Sequence, residues 1–380
     1  MIYFDNSATT KPFNEVINSF VKVSTDYYGN PSSLHQLGGM AQQLLTQARN
    51  QIAKLLKAKS TEILFTSGGT ESNNLAIKGT ALMYRSRGKH IITTEIEHAS
   101  VYEAMDQLKQ LGYIITYLKP DQDGRISVRD VESALREDTI LVSVIHVNNE
   151  VGTIQPIKEI GALLKDYPKV LFHVDHVQGV CKVPLNFHEC GIDLCSISGH
   201  KFHGLKGTGA LFLRDTLQIS PLFSGGGQEL KHRSGTENVA GIVAMAKALR
   251  LSMDLRAEKL SVMMEIMKRL RDDLQKIDEV TIHSPNEGSA PHILNLSIRG
   301  FKGEVFVHSL EEKGIYVSTT SACSSKQAAV SKTLLAMGIS AEEAKSAIRI
   351  SLSFNNTMDE ALQAISALKE SIKHLGEVMN

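Results

Sequence analysis

Two short stretches carry side chains whose spacing could do chemistry. In FHVDHVQG, residues 172–179, Asp175 stands between His173 and His176, so three candidate metal ligands fall within four positions. A strand over 170–175 would turn His173 and Asp175 to one face and Val174 and His176 to the other. Three ligands to one metal need a common face, so no metal is expected, and His176 is expected to be packed or hydrogen-bonded behind the strand. In SISGHKFHGLKGTGALFLR, residues 196–214, a strand ending at Ser198 would leave His200 and Lys201 at its carboxyl end, where open α/β sheets place their ligands. A lysine held there can have a lowered pKa and form a Schiff base with a carbonyl cofactor, or it can be a solvated lysine at a strand end.

A third stretch, FTSGGTESNNLAIKG at 65–79, runs from a strand through small and hydroxyl residues into a helical pattern. The free backbone N–H groups of such a helix start suit a phosphate, while Thr70 could equally be an ordinary helix cap. With a lysine-bound carbonyl cofactor nearby, Asp175 acquires a use that a metal would not give it. A buried carboxylate can pair with a protonated ring nitrogen such as that of pyridoxal phosphate.

These groups must be positioned by an alternating pattern. Strand candidates fall at 62–66, 90–94, 113–118, 140–147, 170–175, 194–198 and 209–213. Helical spacing between the early ones is clear over 37–56, where Ala41, Leu44, Leu45, Ala48, Ile52, Leu55 and Leu56 recur on one face. The alternation predicts an α/β fold with a mostly parallel sheet of seven strands covered by helices. A polar, Gly-rich stretch at 224–238 precedes a long helical segment over 239–277, and new strands follow at 294–298 and 315–318. A smaller α+β domain joined through the long helix is expected there, with a large domain over 15–255 and a small one from 1–14 and 256–380.

Composition narrows the function classes. The 380 residues carry 41 Lys plus Arg and 41 Asp plus Glu, so no global field favours nucleic acid or an anionic membrane, and neither is expected as a partner. MIYFDNSATTK lacks the charged start and apolar stretch of a signal peptide, and no run reaches the roughly 18 apolar residues of a membrane span. Cys181, Cys190, Cys195 and Cys323 form no CxxC pair, which favours a reduced, cytoplasmic setting. The first three lie in or beside apolar segments and read as small buried side chains. Cys323 lies in TTSACSSKQ, a small and polar stretch that reads as a loop.

Taken in order, YFDNSATT (3–10), GNPSSLH (29–35), FTSGGTESNN (65–74), EHAS (97–100), VNNEVGTIQP (147–156), HVDHVQ (173–178), SGHKFHG (198–204), RSGTEN (233–238) and SACSS (321–325) make nearly the whole chain resemble the NifS/IscS cysteine desulfurases. That is a group of class-V aminotransferases with the type I pyridoxal-phosphate transferase fold. The resemblance implies pyridoxal 5′-phosphate bound to Lys201, its phosphate held by Gly69, Thr70, Ser198, Gly199 and His200, and Thr236 reaching it from the neighbouring subunit of a homodimer. It implies His98 stacked on the ring, with a part in proton exchange, Asp175 at the ring nitrogen and Gln178 at the phenolic oxygen. Asn148 and Arg349 would orient the L-cysteine substrate, and Cys323 would take its sulfur as a persulfide. That sulfur would pass to an acceptor protein such as an iron–sulfur scaffold or a tRNA-thiolation enzyme. The chain departs from the pattern at His176, where alanine is usual, at Thr319 and Thr320, where Ser-Gly is usual, and at Leu205, where proline is common. An aminotransferase or selenocysteine lyase on the same fold, or a sulfur-relay scaffold with a decayed site, are the rival readings.

Overall fold

The computed structural model describes residues 1–319 and 330–379. Thirteen strands are described. After β1 (Ile2–Tyr3), seven follow: β2 (Ile63–Thr66), β3 (His90–Thr94), β4 (Ile114–Leu118), β5 (Thr139–Ile145), β6 (Leu171–Asp175), β7 (Leu194–Ser198) and β8 (Gly209–Leu213). They form one sheet in the order β2-β8-β7-β6-β5-β3-β4. All seven expected strands are present within a residue or two. Neighbours from β7 to β4 run parallel, and β8 is antiparallel to both β2 and β7.

Every residue of β5, β6 and β7 is buried, as a sheet covered on both faces requires. The two faces separate by alternation. Val142, Val144, Phe172, Val174, Cys195 and Ile197 enter one core with Ile52 and Met245. Leu141, Leu171 and Leu194 enter the other with Leu75, Val101 and Met105, which belong to the helices Gly69–Tyr84 and Ala99–Gln110. Asp175 shares the parity of Leu171, and Ser198 that of Leu194, so both lie on the face of these two helices.

The remaining strands are β9 (Val280–Ile282), β10 (Ile293–Ile298), β11 (Ile315–Tyr316), β12 (Ser318–Thr319) and β13 (Ala347–Ser351). Four make an antiparallel sheet in the order β12-β13-β10-β9, and β11 pairs with β1. The segment expected as one strand over 315–318 is thus split, because the chain leaves one partner at Tyr316 and takes another at Ser318. A separate hydrophobic core joins Ile2, Phe4, Leu296, Phe306, Ile348 and Leu368. The helix Val239–Leu274, about 54 Å long by its residue count, links the two regions. Met253 packs on the large-sheet core and Leu255 on the other. Among the described residues no helix is long and apolar enough to cross a membrane.

Candidate active site

Lys201 closes a single turn of 3-10 helix, Gly199–Lys201, that follows β7 directly. The turn is held by two residues. The Thr10 amide and hydroxyl both donate to the His200 carbonyl, at 2.9 and 2.8 Å, and Lys182 Nζ donates to the Lys201 carbonyl at 2.9 Å. Position 199 tolerates no side chain, since a Cβ there would stand 2.3 Å from Thr208 Oγ1. So fixed, Lys201 Nζ reaches the N-terminal segment and donates to the carbonyls of Ala8, at 2.8 Å, and Ser7. Gln178 Nε2 donates to the same Ser7 carbonyl at 3.0 Å.

The lysine amine opens on a cavity of about 300 Å³ lined by Gly69, Thr70, His98, Asp175, Gln178, Ser198 and His200 among others. These residues come from the carboxyl ends of β6 and β7 and from the starts of two helices. The helix beginning at Gly69 presents its unpaired N–H groups to that space. A Cβ at Gly69 would lie 2.8 Å from Val177 Cγ2, so a side chain there would have to displace the Val177 methyl or the helix start. Burial, with help from the charges of Lys201 and Lys206, pushes His200 down to about 4; it is neutral and meets Thr9 Oγ1 at 3.1 Å.

Asp175 is 3 % exposed. Its Oδ1 accepts from the Val177 amide at 3.0 Å and its Oδ2 from Asn73 Nδ2 at 2.7 Å. Both partners are neutral, which leaves a buried carboxylate with room for a cationic or N–H donor. Asn73 Oδ1, also buried, has no partner among the described residues. The neighbouring Glu97 is different in kind. It accepts from Thr94 Oγ1 at 2.8 Å and from the Ile145 amide at 2.9 Å, and burial, with a smaller contribution from the Asp175 charge, pushes it from 4.5 to about 8. Glu97 is therefore a protonated acid at neutral pH that ties the His98 turn to the end of β5.

That protonation has a stability consequence. The folded-state pKa lies above the unfolded one, so the folded protein holds the extra proton. The stability it contributes is full below pH 4.5 and is lost as the pH rises to about 8. Glu97→Gln, which mimics the neutral acid, is expected to remove this slope, on the order of a few kcal/mol, and to unfold at higher urea than wild type on the alkaline side. Urea titrations at the acid and alkaline ends of the window check it; parallel behaviour of the two proteins would show that Glu97 is ionised in the folded state.

Other expected site residues lie differently. Asn148 is fully buried outside the cavity lining: its Nδ2 donates to the Ile96 carbonyl at 2.9 Å, and its Oδ1 accepts from the Glu150 and Val151 amides, both at 2.9 Å. Its neighbour Asn149 lines the cavity instead. Arg349, on β13 and 2 % exposed, donates to the Asn149 carbonyl at 2.8 Å and to Asp5 at 3.0 Å. Its fork is thus already engaged beside the cavity. Thr236 is exposed and Gly199 is behind the lining. Cys323 lies outside the described residues. Asn73 and Ser100 line the cavity without having been singled out; Asn73 sits one helical turn beyond Gly69 in the same motif, and that spacing was the available signal.

Behind the strand, His176 Nδ1 meets His146 Nδ1 at 2.7 Å, and the ring packs edge-on to Phe187. Both histidines are pushed down by burial, His146 to about 4, and they border a cavity of about 540 Å³ on the opposite face. His176 is packed and hydrogen-bonded, as expected. Among the described residues no group of three or more His, Cys, Asp or Glu could hold a metal.

Residues 2–363 match the family described as Aminotransferase class-V. A "NifS/IcsS protein homolog" from Lactobacillus delbrueckii subsp. bulgaricus is 47 % identical over 380 residues, covering 100 % of this chain and 99 % of the relative. "Cysteine desulfurase IscS" from Dictyoglomus turgidum is 42 % identical, over 98 % of this chain and 95 % of its own. A solved "NifS-like protein" superposes with a TM-score of 0.92 at 37 % identity, covering 99 % of both chains.

Proposed function

Because the chain belongs to the class-V aminotransferase family, with full-length relatives named as cysteine desulfurases, we propose that it is a cysteine desulfurase that uses pyridoxal 5′-phosphate. The observation that carries this reading is the convergence of an amine, a carboxylate and a helix N-terminus on one cavity: Lys201, Asp175 and Gly69–Thr70. The donor set fits the cofactor. The hydrogen-bond partners of Asp175 described above are neutral, and the glycine-lined helix start has the N–H groups a phosphate needs. When bound, pyridoxal phosphate supplies a carbonyl carbon for amines and a conjugated ring that takes up electrons from the substrate α-carbon.

The chain's own groups do the rest. Lys201 would hold the cofactor through its amine and would move the substrate α-proton. Asp175 would hold a proton at the ring nitrogen, and Gln178 would bond the phenolic oxygen. Gly69, Thr70, Ser198, Gly199 and His200 hold the phosphate, with Thr236 from a second copy in a homodimer. Asn148, through the turn it builds, and Arg349 orient the L-cysteine carboxylate. The Cys323 thiolate attacks the substrate sulfur: a new S–S bond forms, the C–S bond breaks, and its electron pair stays with the carbon skeleton. With proton uptake that skeleton leaves as alanine, so one cysteine and one thiol become one alanine and one persulfide. The persulfide sulfur passes to an acceptor protein of iron–sulfur assembly or tRNA thiolation. Free buried thiols at Cys181, Cys190 and Cys195 suit a reducing, cytoplasmic setting, and the separate hydrophobic cores support a large unit over 15–255 and a small one from 1–14 with 256–380.

Product analysis tests the reading. Incubation with L-cysteine should give alanine and protein-bound persulfide in equal amounts; amino transfer that depends on an added keto acid would assign the site to an aminotransferase instead. The cradle has its own test. Gly69→Ala should fold, yet push Val177 or the helix start out of place and weaken cofactor retention by about tenfold or more, a loss of about 1.4 kcal/mol. Absorbance titration with pyridoxal phosphate measures it, and unchanged affinity would remove Gly69 from the phosphate site.

A further inference from the structure

His98 occupies the N-cap of the helix Ala99–Gln110, and its Nδ1 accepts from the Ser100 amide at 3.1 Å. A backbone N–H can only donate, so Nδ1 must present a lone pair, and a neutral imidazole with an unprotonated Nδ1 carries its hydrogen on Nε2. The Ser100 hydroxyl makes the same demand. Its Oγ lies 2.8 Å from Nδ1 and accepts from Asn73 Nδ2 at 2.9 Å. Because the amide already makes Nδ1 an acceptor, the hydroxyl directs its own hydrogen to Nδ1 while its oxygen accepts from Asn73.

Asn73 is oriented in turn. Its Nδ2 also donates to Asp175 Oδ2 at 2.7 Å, and a flipped amide would set its carbonyl oxygen against a carboxylate. Asp175, Asn73, Ser100 and His98 thus form one hydrogen-bonded chain. Asn73 and Ser100 are both buried, so bulk water does not compete freely for these contacts.

We infer that Ser100 and Asn73 are positioning residues that lock neutral His98 in the tautomer with its hydrogen on Nε2. Among the described residues the protein's hydrogen bonds to this imidazole are both on Nδ1, and His98 lines the cavity; Nε2 is the nitrogen left for a ligand. His98 therefore offers the cavity a hydrogen-bond donor, suited to a sulfur or oxygen acceptor. For neutral His98 to take a proton at Nε2, the Ser100 contacts to Nδ1 must first break. Burial, and secondarily the Lys201 charge, push His98 downward against the opposing pull of Asp175, which agrees with a neutral ring. The ligand identity rests on the reading above; the tautomer does not.

Long-range proton–nitrogen correlation spectra of the full chain labelled with ¹⁵N-histidine test this, before and after pyridoxal phosphate is added, with His98 assigned by loss of its signals in His98→Gln. The wild type should show an unprotonated Nδ1 and a protonated Nε2. Ser100→Ala keeps the amide contact to Nδ1 and loses only the hydroxyl's, so it should keep the Nε2–H tautomer but raise the pH at which His98 titrates, and Ser100→Thr should restore the wild-type titration. A wild-type proton on Nδ1 would overturn the inference, and a Ser100→Ala titration identical to wild type would remove Ser100 as a positioning residue. Should Ser100→Ala fail to fold, the wild-type tautomer still decides. The visible band of bound cofactor is read separately: its absence alongside the Nε2–H tautomer would reject the cofactor and leave the inference standing.

Discussion

Lys201→Ala is expected to abolish alanine formation, lowering turnover by at least about 10³-fold, because in the proposed reaction one amine would serve both as the attachment point and as the proton carrier. The surroundings explain why no other group takes over. Lys201 extends from a turn clamped through its own carbonyl by Lys182 and through the His200 carbonyl by Thr10. Its amine is led into the cavity between Ala8 and Ser7. Lys182, the neighbouring buried amine, is pushed down by burial to about 8, yet it is spent on the Lys201 carbonyl and is absent from the cavity lining. The measurement is single-turnover release of alanine together with the absorbance of bound cofactor. The variant should still hold the cofactor through the phosphate cradle, lose the absorbance that a lysine adduct gives, and recover part of its activity with small added amines. Normal turnover would exclude the lysine from the chemistry.

How far the sequence reaches can be judged from particular residues. Most of the seven strands were legible because both faces of the sheet are buried around them and they form compact runs between turn residues; the edge strand β4 is largely half-exposed. Asp175 and Lys201 were legible for a related reason: strand alternation and strand ends fix where a polar side chain must go. What stayed hidden depends on contacts distant in the chain. Nothing local distinguishes Asn148 from Asn149; only the fold shows that the first spends its amide on Ile96 and on its own turn while the second faces the cavity. The motif string could suggest Arg349, but not that Asp5, 344 positions away, already holds its guanidinium. Nor could it show that His146 lies against His176, since that pairing requires β5 and β6 to be neighbours.

The Arg349–Asp5 pair bears on how substrate enters. Arg349 joins β13 to the Asn149 carbonyl and to the N-terminal segment that receives the Lys201 amine. Burial raises Asp5 although the Arg349 charge pulls the other way, so the carboxylate is costly to keep ionised and becomes easier to displace. A substrate carboxylate competing for the same guanidinium would meet an arginine already oriented, at the cost of releasing Asp5.

Cys323→Ala should separate cofactor chemistry from sulfur transfer. The variant is expected to bind pyridoxal phosphate and L-cysteine as wild type does, and to lose persulfide and alanine formation by at least on the order of 10³-fold, as enzymes do when a nucleophile is removed. The other thiols cannot substitute. Burial pushes Cys181 up to about 12 and raises Cys190 and Cys195 as well, so their thiolate fraction at neutral pH falls below that of a free cysteine with a pKa of about 8.5. All three also pack within the large-sheet core, on the face opposite Asp175. Sulfur arriving at the cavity therefore has one chemically competent thiol to meet. Alkylation of the wild type after a single turnover, followed by peptide mass mapping, should place the added sulfur on Cys323 alone. Persulfide on Cys181, Cys190 or Cys195, or undiminished alanine release from Cys323→Ala, would mean that the sulfur leaves by a different route.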